Sequence, residues 1–397
     1  MSLSSPHPTP HPAHTLSSEE LSWPSPAREA AFNTWIAPLA AQHQLKLDTL
    51  RPASADASFR RYLRLDVQTS GQDTPRSLIV MDAPPDKEDC KPFVKVAALM
   101  ATAGLRVPDI LAWEEPNGFI LLSDLGAQTM MAVIQDKTPP AYLVHPEDRF
   151  WHRPAPSEDV QAMYLQALDI LIAWQLASRP GVLPAYDSAL LHRELKLFPD
   201  WYLGQHRGID VDAPQHSKLK QTLTDTFDIL VNNNLAAPQV YVHRDFMPRN
   251  LMVDVAPTLG VLDFQDAVYG PVTYDIACLL RDAFLSWDES FVLDITIRYW
   301  EKARKAGLLD FEGWSENFGE FYRAMEWMGL QRHLKVAGIF ARLTLRDGKP
   351  QYLADAPRFI GYIRATAGRY RELKPLLYLI DEVEGIKADS GYSFGRV

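Results

Sequence analysis

The segment "VHRDFMPRNLMV", residues 242–253, places basic, acidic and amide side chains between two apolar runs. The run "VYV" just before it predicts a strand, and "HRDFMPRN" predicts a loop. The runs "NLMVDV" and "GVLDF" predict a hairpin turned at "APTLG", which returns Asp263 towards that loop. The pattern therefore predicts that Asp245, Asn250 and Asp263 converge.

These three side chains suit phosphoryl transfer. The oxygen donors of Asn250 and Asp263 suit a hard divalent cation such as Mg²⁺, which keeps several waters beside nucleotide phosphates. Asp245, five positions before Asn250, is placed to accept a proton from an attacking hydroxyl. Asp and Asn are also common in loops because they cap and turn, but the strand context and the D-F-x-D return strand favour catalysis.

Neighbouring polar residues are predicted to support this loop. His243 is interpreted as a packed histidine that braces it. Asp266, on the return strand, is predicted to support the metal site from behind its ligands. Asp275, in "TYDIACLL", is interpreted as a helix cap that also fixes the loop.

The composition limits the class of protein. The chain has 397 residues, of which 47% are hydrophobic, so about two domains are expected. A net charge of −10 argues against a basic surface that binds nucleic acid. The sequence has no run of about 18 apolar residues, so no membrane span is predicted. Only Cys90 and Cys278 are present, which excludes a disulfide framework and favours a reducing cytoplasm. The composition leaves the oligomeric state open.

Patterning divides the chain into four predicted segments. Residues 1–27 are rich in Pro, Ser and His and predict a disordered tail without a secretory signal. Residues 28–125 predict an N-terminal lobe in which three strands, a helix and two strands follow an initial helix. Residues 126–159 form a proline-rich connector and insertion, and residues 160–397 predict a helical lobe. The helix that begins this lobe has Ser157 as its expected cap.

The motifs "HRDFMPRN" and "LDFQD" resemble those of the aminoglycoside-phosphotransferase and choline-kinase-like branch of the protein-kinase fold. Four longer segments are similar to the anomeric N-acetylmuramate/N-acetylglucosamine kinases of bacterial cell-wall recycling: "DASFRRYLRL", "LIVMDAPPDKED", "RELKLFPDWYL" and "LQRHLKVAGIFARLTLRDGK". This resemblance implies a two-lobed α+β fold of the protein-kinase type. It also implies ATP and Mg²⁺ as cofactors and the C1 hydroxyl of an amino sugar as acceptor.

The sequence departs from the kinase pattern in the nucleotide region. Met81 stands where such enzymes usually offer a strand lysine, and the next helix offers Lys91 and Lys95 rather than an obvious glutamate. No G-x-G-x-x-G loop is present. The candidates for binding the nucleotide phosphates and balancing their negative charge are Ser58, Arg60, Arg61 and Arg64. A solvated strand face is the other interpretation of each arginine.

The resemblance also suggests where ligands bind. Backbone groups around Ser123 and Leu125 are expected to receive the adenine. Charged and aromatic residues are the sugar-binding candidates, namely Arg193, Glu194, Trp201 and Arg281. An amphipathic helix with a polar side explains the first three equally well. Buried polar pairing explains Arg332, His333 and Lys335 as well as ligand binding does.

Two other functions stay open at this point. A kinase of the same fold can act on another hydroxyl substrate, such as an aminoglycoside, choline or homoserine. A pseudokinase binds nucleotide without catalysis, and the missing lysine–glutamate pair favours it. The intact Asp245, Asn250 and Asp263 favour an enzyme.

Overall fold

The structure is a computed structural model, and it describes residues 22–54, 59–68, 76–137, 156–254 and 258–386. Most of the predicted tail and residues 138–155 of the predicted insertion lie outside the described residues. Within the described ranges, none of the helices combines the length and the apolar character needed to cross a membrane.

The chain divides into two compact units. Unit 1 comprises Met1–Gln128 and Met252–Gln265, and unit 2 comprises Thr129–Leu251 and Asp266–Val397. The four segments inferred from the sequence stay a prediction.

Unit 1 is built on an antiparallel sheet that follows an N-terminal helix. Its helices and first five strands are α1 (Pro26–His43), β1 (Leu45–Ser54), β2 (Arg61–Val67), β3 (Arg76–Asp82), α2 (Lys91–Thr102), β4 (Ile110–Glu114) and β5 (Phe119–Ser123). The strand order is β1-β2-β3-β5-β4. This element order, and the β4–β5 hairpin at Asn117-Gly118, confirm the prediction for this region.

The core of unit 1 lies between α1 and one face of the sheet. Phe32 and Ile36 of α1 pack against alternate strand residues such as Leu63, Val80 and Phe119. Alternation along β3 turns the neighbour of Val80 to the opposite face, where Met81 is fully buried. The position expected for a lysine is therefore an apolar core position.

Asp82 ends β3 on the side of the sheet that α1 covers. Its carboxylate accepts hydrogen bonds from Arg28 Nε at 3.0 Å and from Arg61 Nε at 2.9 Å. Arg61 lies directly opposite Asp82 in the β2–β3 register, and Arg28 belongs to α1. One buried carboxylate thus joins three elements of the unit.

Unit 2 is mainly helical. Its helices and strands are α3 (Met130–Lys137), α4 (Glu158–Leu176), α5 (Ser188–Leu195), a π-helix (Phe198–His206), α6 (Ser217–Ala236), β6 (Gln239–Val242), β9 (Val268–Pro271), α7 (Tyr274–Leu280), α8 (Glu289–Lys305), α9 (Phe318–Leu345), α10 (Ala356–Arg369) and α11 (Lys374–Glu384). The short strands β7 (Leu251–Met252) and β8 (Gly260–Val261), which belong to unit 1 except for Leu251, form a two-stranded ribbon at the predicted hairpin. The predicted α+β class, with a β-rich N-terminal part and a helical C-terminal part, is confirmed.

The long helix α9 packs closely on the π-helix segment. A Cβ at Gly338 of α9 would stand 2.3 Å from the carbonyl oxygen of Leu197, so only glycine permits this approach. The contact fixes the start of the π-helix, which carries Trp201.

Two local predictions need correction. Ser157 occupies the N-cap position of α4, but its side chain makes no capping hydrogen bond. Asp275 lies inside the first turn of α7, whose N-cap is Thr273. Its carboxylate is therefore available to the neighbouring loop.

Candidate active site

The segment 243–250 follows the short, buried strand β6. β6 pairs antiparallel with β9, with Val242 opposite Val268. The chain then runs through the loop to a 3₁₀ turn at Pro248–Asn250, which leads into β7. Asp245, midway along the loop, is partly exposed. The predicted strand and loop are confirmed.

Asp275 of α7 fixes the start of this loop. Its two carboxylate oxygens accept hydrogen bonds from the backbone N–H of His243 at 2.7 Å and of Arg244 at 3.0 Å. Burial raises the pKa of Asp275 to about 7, although these two hydrogen bonds oppose the change. The predicted role of Asp275 in fixing the loop is confirmed.

Arg244 has an unusual backbone conformation. Its φ of 77° lies in the left-handed region, which residues with a Cβ rarely adopt. Its carbonyl oxygen accepts a hydrogen bond from Cys278 Sγ at 3.0 Å. With Asp275 on the N–H, both backbone polar groups of Arg244 are held by α7.

Further hydrogen bonds hold Asp245 from both sides. Its backbone N–H donates to Nδ1 of the buried His243 at 3.2 Å, and its carbonyl accepts from Asn250 Nδ2 at 2.9 Å. Among the residues that the structure describes, none donates a hydrogen bond to the Asp245 carboxylate. The loop therefore fixes the backbone of Asp245, while its side chain stays partly exposed.

Glu194, a predicted sugar ligand, is buried in unit 2 beside this loop. Its carboxylate lies 2.5 Å from Arg244 Nη2 and 2.9 Å from Lys335 Nζ. It also accepts hydrogen bonds from the hydroxyl of Tyr186 and, at 3.3 Å, from Gln331 Nε2. Burial alone would raise the pKa of Glu194, but Lys335 and Arg244 outweigh it and lower the pKa to about 2.

The remaining predicted acidic residues are exposed. Asp263 belongs to unit 1, has a φ of 64°, and accepts a hydrogen bond from Gln265 Nε2 at 2.8 Å. Asp266 belongs to unit 2, where its carbonyl accepts a 3.5 Å hydrogen bond from Arg244. The described residues contain no cluster of three or more His, Cys, Asp or Glu side chains able to hold a metal.

The predicted phosphate-binding arginines of unit 1 each contact a carboxylate. Arg60 lies 3.0 Å from Glu88, Arg61 pairs with Asp82, and Arg64 lies 2.6 Å from Asp124. Ser58 lies outside the described residues. Phosphate binding by these residues stays a prediction.

The adenine-binding candidates lie at the end of β5. Ser123 exchanges two hydrogen bonds with Asp109, one through its backbone N–H and one through its hydroxyl. Leu125 is buried. No observation tests their predicted role, which stays a prediction.

The other sugar-binding candidates have different surroundings. Arg193 is exposed on α5, and Trp201 is partly exposed on the π-helix. Arg281 is buried and makes two hydrogen bonds to Glu289, at 2.7 and 2.8 Å. Arg193 and Trp201 therefore present side chains that a solute can reach, whereas the charge of Arg281 is already balanced.

Sequence reasoning missed two residues that hold the loop, Arg244 and Cys278, and left Lys335 open between buried polar pairing and ligand binding. The position of Lys335 in a very apolar helix was a signal, and its pairing with Glu194 confirms the interpretation as buried polar pairing. Arg244 and Cys278 gave no signal, because the backbone conformation of a loop is not visible in its residue types.

Comparison with known proteins agrees with these observations. Residues 49–309 match the sequence profile of the phosphotransferase enzyme family. The chain is 50% identical over 327 residues to the N-acetylmuramate/N-acetylglucosamine kinase of Pseudomonas aeruginosa, covering 82% of this chain and 86% of that protein. It is 45% identical over 344 residues to the protein of the same name from Neisseria meningitidis, covering 86% and 93%.

The fold is shared with a solved aminoglycoside phosphotransferase in its ADP-bound form. The TM-score is 0.51 at 12% identity, over 84% of this chain and 96% of the other. The predicted resemblance to the kinase-like fold is thereby confirmed. Since the family profile and two relatives cover most of the chain, this protein belongs to the phosphotransferase enzyme family.

Proposed function

We propose that the protein is an ATP-dependent kinase that phosphorylates the C1 hydroxyl of N-acetylmuramate, N-acetylglucosamine or both. One observation carries this proposal: identity of 50% and 45% to two proteins named as kinases of these sugars, along 86% and 93% of their lengths. The geometry of the loop around Asp245 supports it independently.

Asp245 orients the anomeric hydroxyl and accepts its proton as the oxygen attacks the terminal phosphate. Two features support this role: its backbone is held at both ends, and its carboxylate is partly exposed. An anomeric hydroxyl is more acidic than an ordinary alcohol, so a carboxylate is a sufficient base.

Asn250 and Asp263 would hold Mg²⁺, with Asp266 as support. The donor types fit this ion, because one amide and one carboxylate leave most of the coordination sphere to water and phosphate oxygens. The bond from Asn250 Nδ2 to Asp245 also fixes which end of that amide donates, so Oδ1 is the end suited to a metal. When bound, Mg²⁺ would neutralise charge that develops on the transferred phosphoryl group.

Unit 1 would bind the nucleotide, with backbone groups around Ser123 and Leu125 at the adenine. The neighbour of similar fold was solved with ADP, which supports a nucleotide ligand. Because Met81 is a buried apolar residue, phosphate charge must be balanced elsewhere. Ser58, Arg60 and Arg61 remain our candidates, and each arginine would have to be shared between its carboxylate partner and the phosphates.

The sugar would be contacted by Arg193 and Trp201. An aromatic face suits the apolar side of a sugar ring, and an exposed arginine suits hydroxyl or carboxylate groups. We further propose that the reaction serves cytoplasmic recycling of peptidoglycan sugars. The two cysteines are free and buried, which supports a reducing compartment.

A coupled assay of ADP release tests this proposal. The acceptor panel contains both amino sugars, their 1-O-methyl glycosides, an aminoglycoside, choline and homoserine. We expect MgATP-dependent ADP release with the free sugars alone, since a methyl group at O1 removes the attacking hydroxyl. Release only with another acceptor would assign a different substrate, and no release with any acceptor would favour the pseudokinase.

A further inference from the structure

Arg244, directly before the proposed catalytic Asp245, has its backbone in the left-handed region, at a φ of 77°. This conformation is unfavourable for a residue with a Cβ and persists only where the surroundings fix it. Asp275 holds the N–H, Cys278 holds the carbonyl, and Glu194 holds the guanidinium. The side chain and the backbone of Arg244 are therefore fixed by three separate residues.

Glu194 has no capacity left for a substrate. An ionised carboxylate offers about four lone-pair sites, and four donors occupy those of Glu194. The donors are the hydroxyl of Tyr186, Nε2 of Gln331, Nη2 of Arg244 and Nζ of Lys335. All of these residues belong to unit 2 and surround a side chain that is only 6% exposed.

Glu194 also keeps its charge at neutral pH. Lys335 and Arg244 stabilise the carboxylate, while Tyr274 accepts a further contact from Lys335 at 3.2 Å. Removing the carboxylate would leave two cations in a buried site with no anion between them, which is strongly unfavourable. Arg244 would then lose one of the three contacts that oppose its return to an ordinary backbone conformation.

We propose that Glu194 is a positioning residue rather than a sugar ligand. It holds Arg244 in the left-handed conformation and thereby aims the carboxylate of Asp245 at the acceptor hydroxyl. This inference rests on the proposed function, because it assigns Asp245 the role of proton acceptor. It replaces the interpretation of Glu194 that the sequence alone suggested.

Four variants test this role through kcat, the KM for each substrate and amide exchange of peptides spanning 242–250. Glu194→Gln keeps the size of the side chain but loses its charge. Arg244→Ala and Arg244→Gly both remove the guanidinium, but only glycine adopts a positive φ without strain. The fourth variant combines Arg244→Gly with Glu194→Gln. Thermal unfolding and far-UV circular dichroism give the folded fraction, to which kcat is normalised.

We expect Glu194→Gln to lower kcat about 30-fold with each KM changed less than about threefold, as for an interaction that acts at the transition state. Arg244→Ala should lose about tenfold more kcat than Arg244→Gly. Adding Glu194→Gln to Arg244→Gly should change kcat by less than about twofold, because the residue that Glu194 positions is already gone. Exchange in residues 242–250 should rise in Glu194→Gln and not rise further in the double variant.

The opposite results would overturn the inference. A higher sugar KM with unchanged kcat in Glu194→Gln would make Glu194 a sugar ligand. An equal loss of kcat from Glu194→Gln in both backgrounds would show that it does not act through Arg244. If Glu194→Gln does not fold, equal kcat for Arg244→Ala and Arg244→Gly would also contradict the inference.

Amide exchange requires no turnover, so it separates two kinds of failure. If the wild-type protein phosphorylates neither sugar, the proposed substrate is wrong, and the exchange comparison still decides the role of Glu194. If the wild-type protein is active but exchange is unchanged in Glu194→Gln, the positioning role is wrong and the proposed function stands.

Discussion

Two buried carboxylates, one in each unit, are each held by two cations. Asp82 of unit 1 receives Arg28 and Arg61, and Glu194 of unit 2 receives Arg244 and Lys335. Both cations of Asp82 lie in regular elements, α1 and β2. One cation of Glu194 lies in the loop directly before Asp245. The same local chemistry thus stabilises a fold in one unit and, by our proposal, orients a reactive group in the other.

The largest effect is expected at Asp245, which adjoins the Glu194 site and not the Asp82 site. Asp245→Asn preserves size and loop hydrogen bonds, but an amide cannot accept the proton of the attacking hydroxyl. We expect kcat to fall about 1000-fold, within the range that a general base contributes. Steady-state ADP release measures this loss, and far-UV circular dichroism with nucleotide titration should show an unchanged fold and affinity. A variant with most of its activity would remove Asp245 from this role.

Asp82→Asn should have the complementary effect. It leaves two partly buried guanidinium groups with a neutral amide, so we expect the free energy of unfolding of unit 1 to fall by about 3 kcal/mol, the lower end for a broken buried pair. The kcat of the folded fraction should fall less than in Glu194→Gln, because neither arginine lies in the loop that carries Asp245. Urea unfolding followed by tryptophan fluorescence, with Glu194→Gln as the matched variant, measures the contrast. A large loss of kcat at full folding would erase the difference between the two sites.

The free energy of unfolding at acid pH should distinguish the wild-type protein from the Glu194→Gln variant. The pKa of Glu194 is lowered from 4.5 to about 2, so its contribution is fully present above pH 4.5 and is lost as pH falls through 2. The shift corresponds to about 3 kcal/mol. The free energy of unfolding should therefore fall more steeply between pH 5 and 3 in the wild-type protein than in Glu194→Gln.

Other titrating groups cancel in that comparison. The pKa of Glu289 is also about 2, although its burial alone would raise it. The pKa of Asp275 is raised to about 7, so its contribution to the free energy of unfolding has the opposite pH dependence and is lost as pH rises towards 7. Both are present in both proteins. Parallel pH dependences for wild type and Glu194→Gln would show that the buried cations do not stabilise the carboxylate.

The smallest effect is expected for an exposed pair that joins β1 to β2, the strand of Arg61. Asp66 lies 2.8 Å from Arg51, and both side chains are more than one third exposed. Because solvent screens this pair, Asp66→Asn should change the free energy of unfolding by less than about 1 kcal/mol. A cost equal to that of Asp82→Asn would show that burial does not set the strength of these pairs.

Sequence patterns predicted the fold well where periodicity dictates structure. The initial helix, three strands, helix and two strands predicted for residues 28–125 correspond to α1, β1–β3, α2 and β4–β5, and the helix predicted to begin the C-terminal lobe corresponds to α4. The loop around Asp245 was also predicted, because its polar residues interrupt apolar runs. The prediction that the Ser157 side chain caps α4 was wrong, because the residue type alone does not determine whether its hydroxyl reaches the backbone of the helix.

The support of the loop was not predictable in the same way. Glu194 and Arg244 are 50 positions apart, and nothing in either segment indicates their pairing. The left-handed conformation of Arg244 is equally hidden, because an arginine gives no local signal for a positive φ. The contact partners of Arg60, Arg61 and Arg64 also depend on strand register and packing rather than on the arginines themselves.

The most direct test of the proposed function is phosphorus NMR of the reaction product. The protein is incubated with MgATP and either N-acetylmuramate or N-acetylglucosamine, with the 1-O-methyl sugar as the blocked control. We expect a glycosyl-1-phosphate resonance coupled to the anomeric proton, absent from the control and from Asp245→Asn. A phosphomonoester at another position, or no sugar phosphate while ATP still binds, would contradict the assignment of an anomeric kinase.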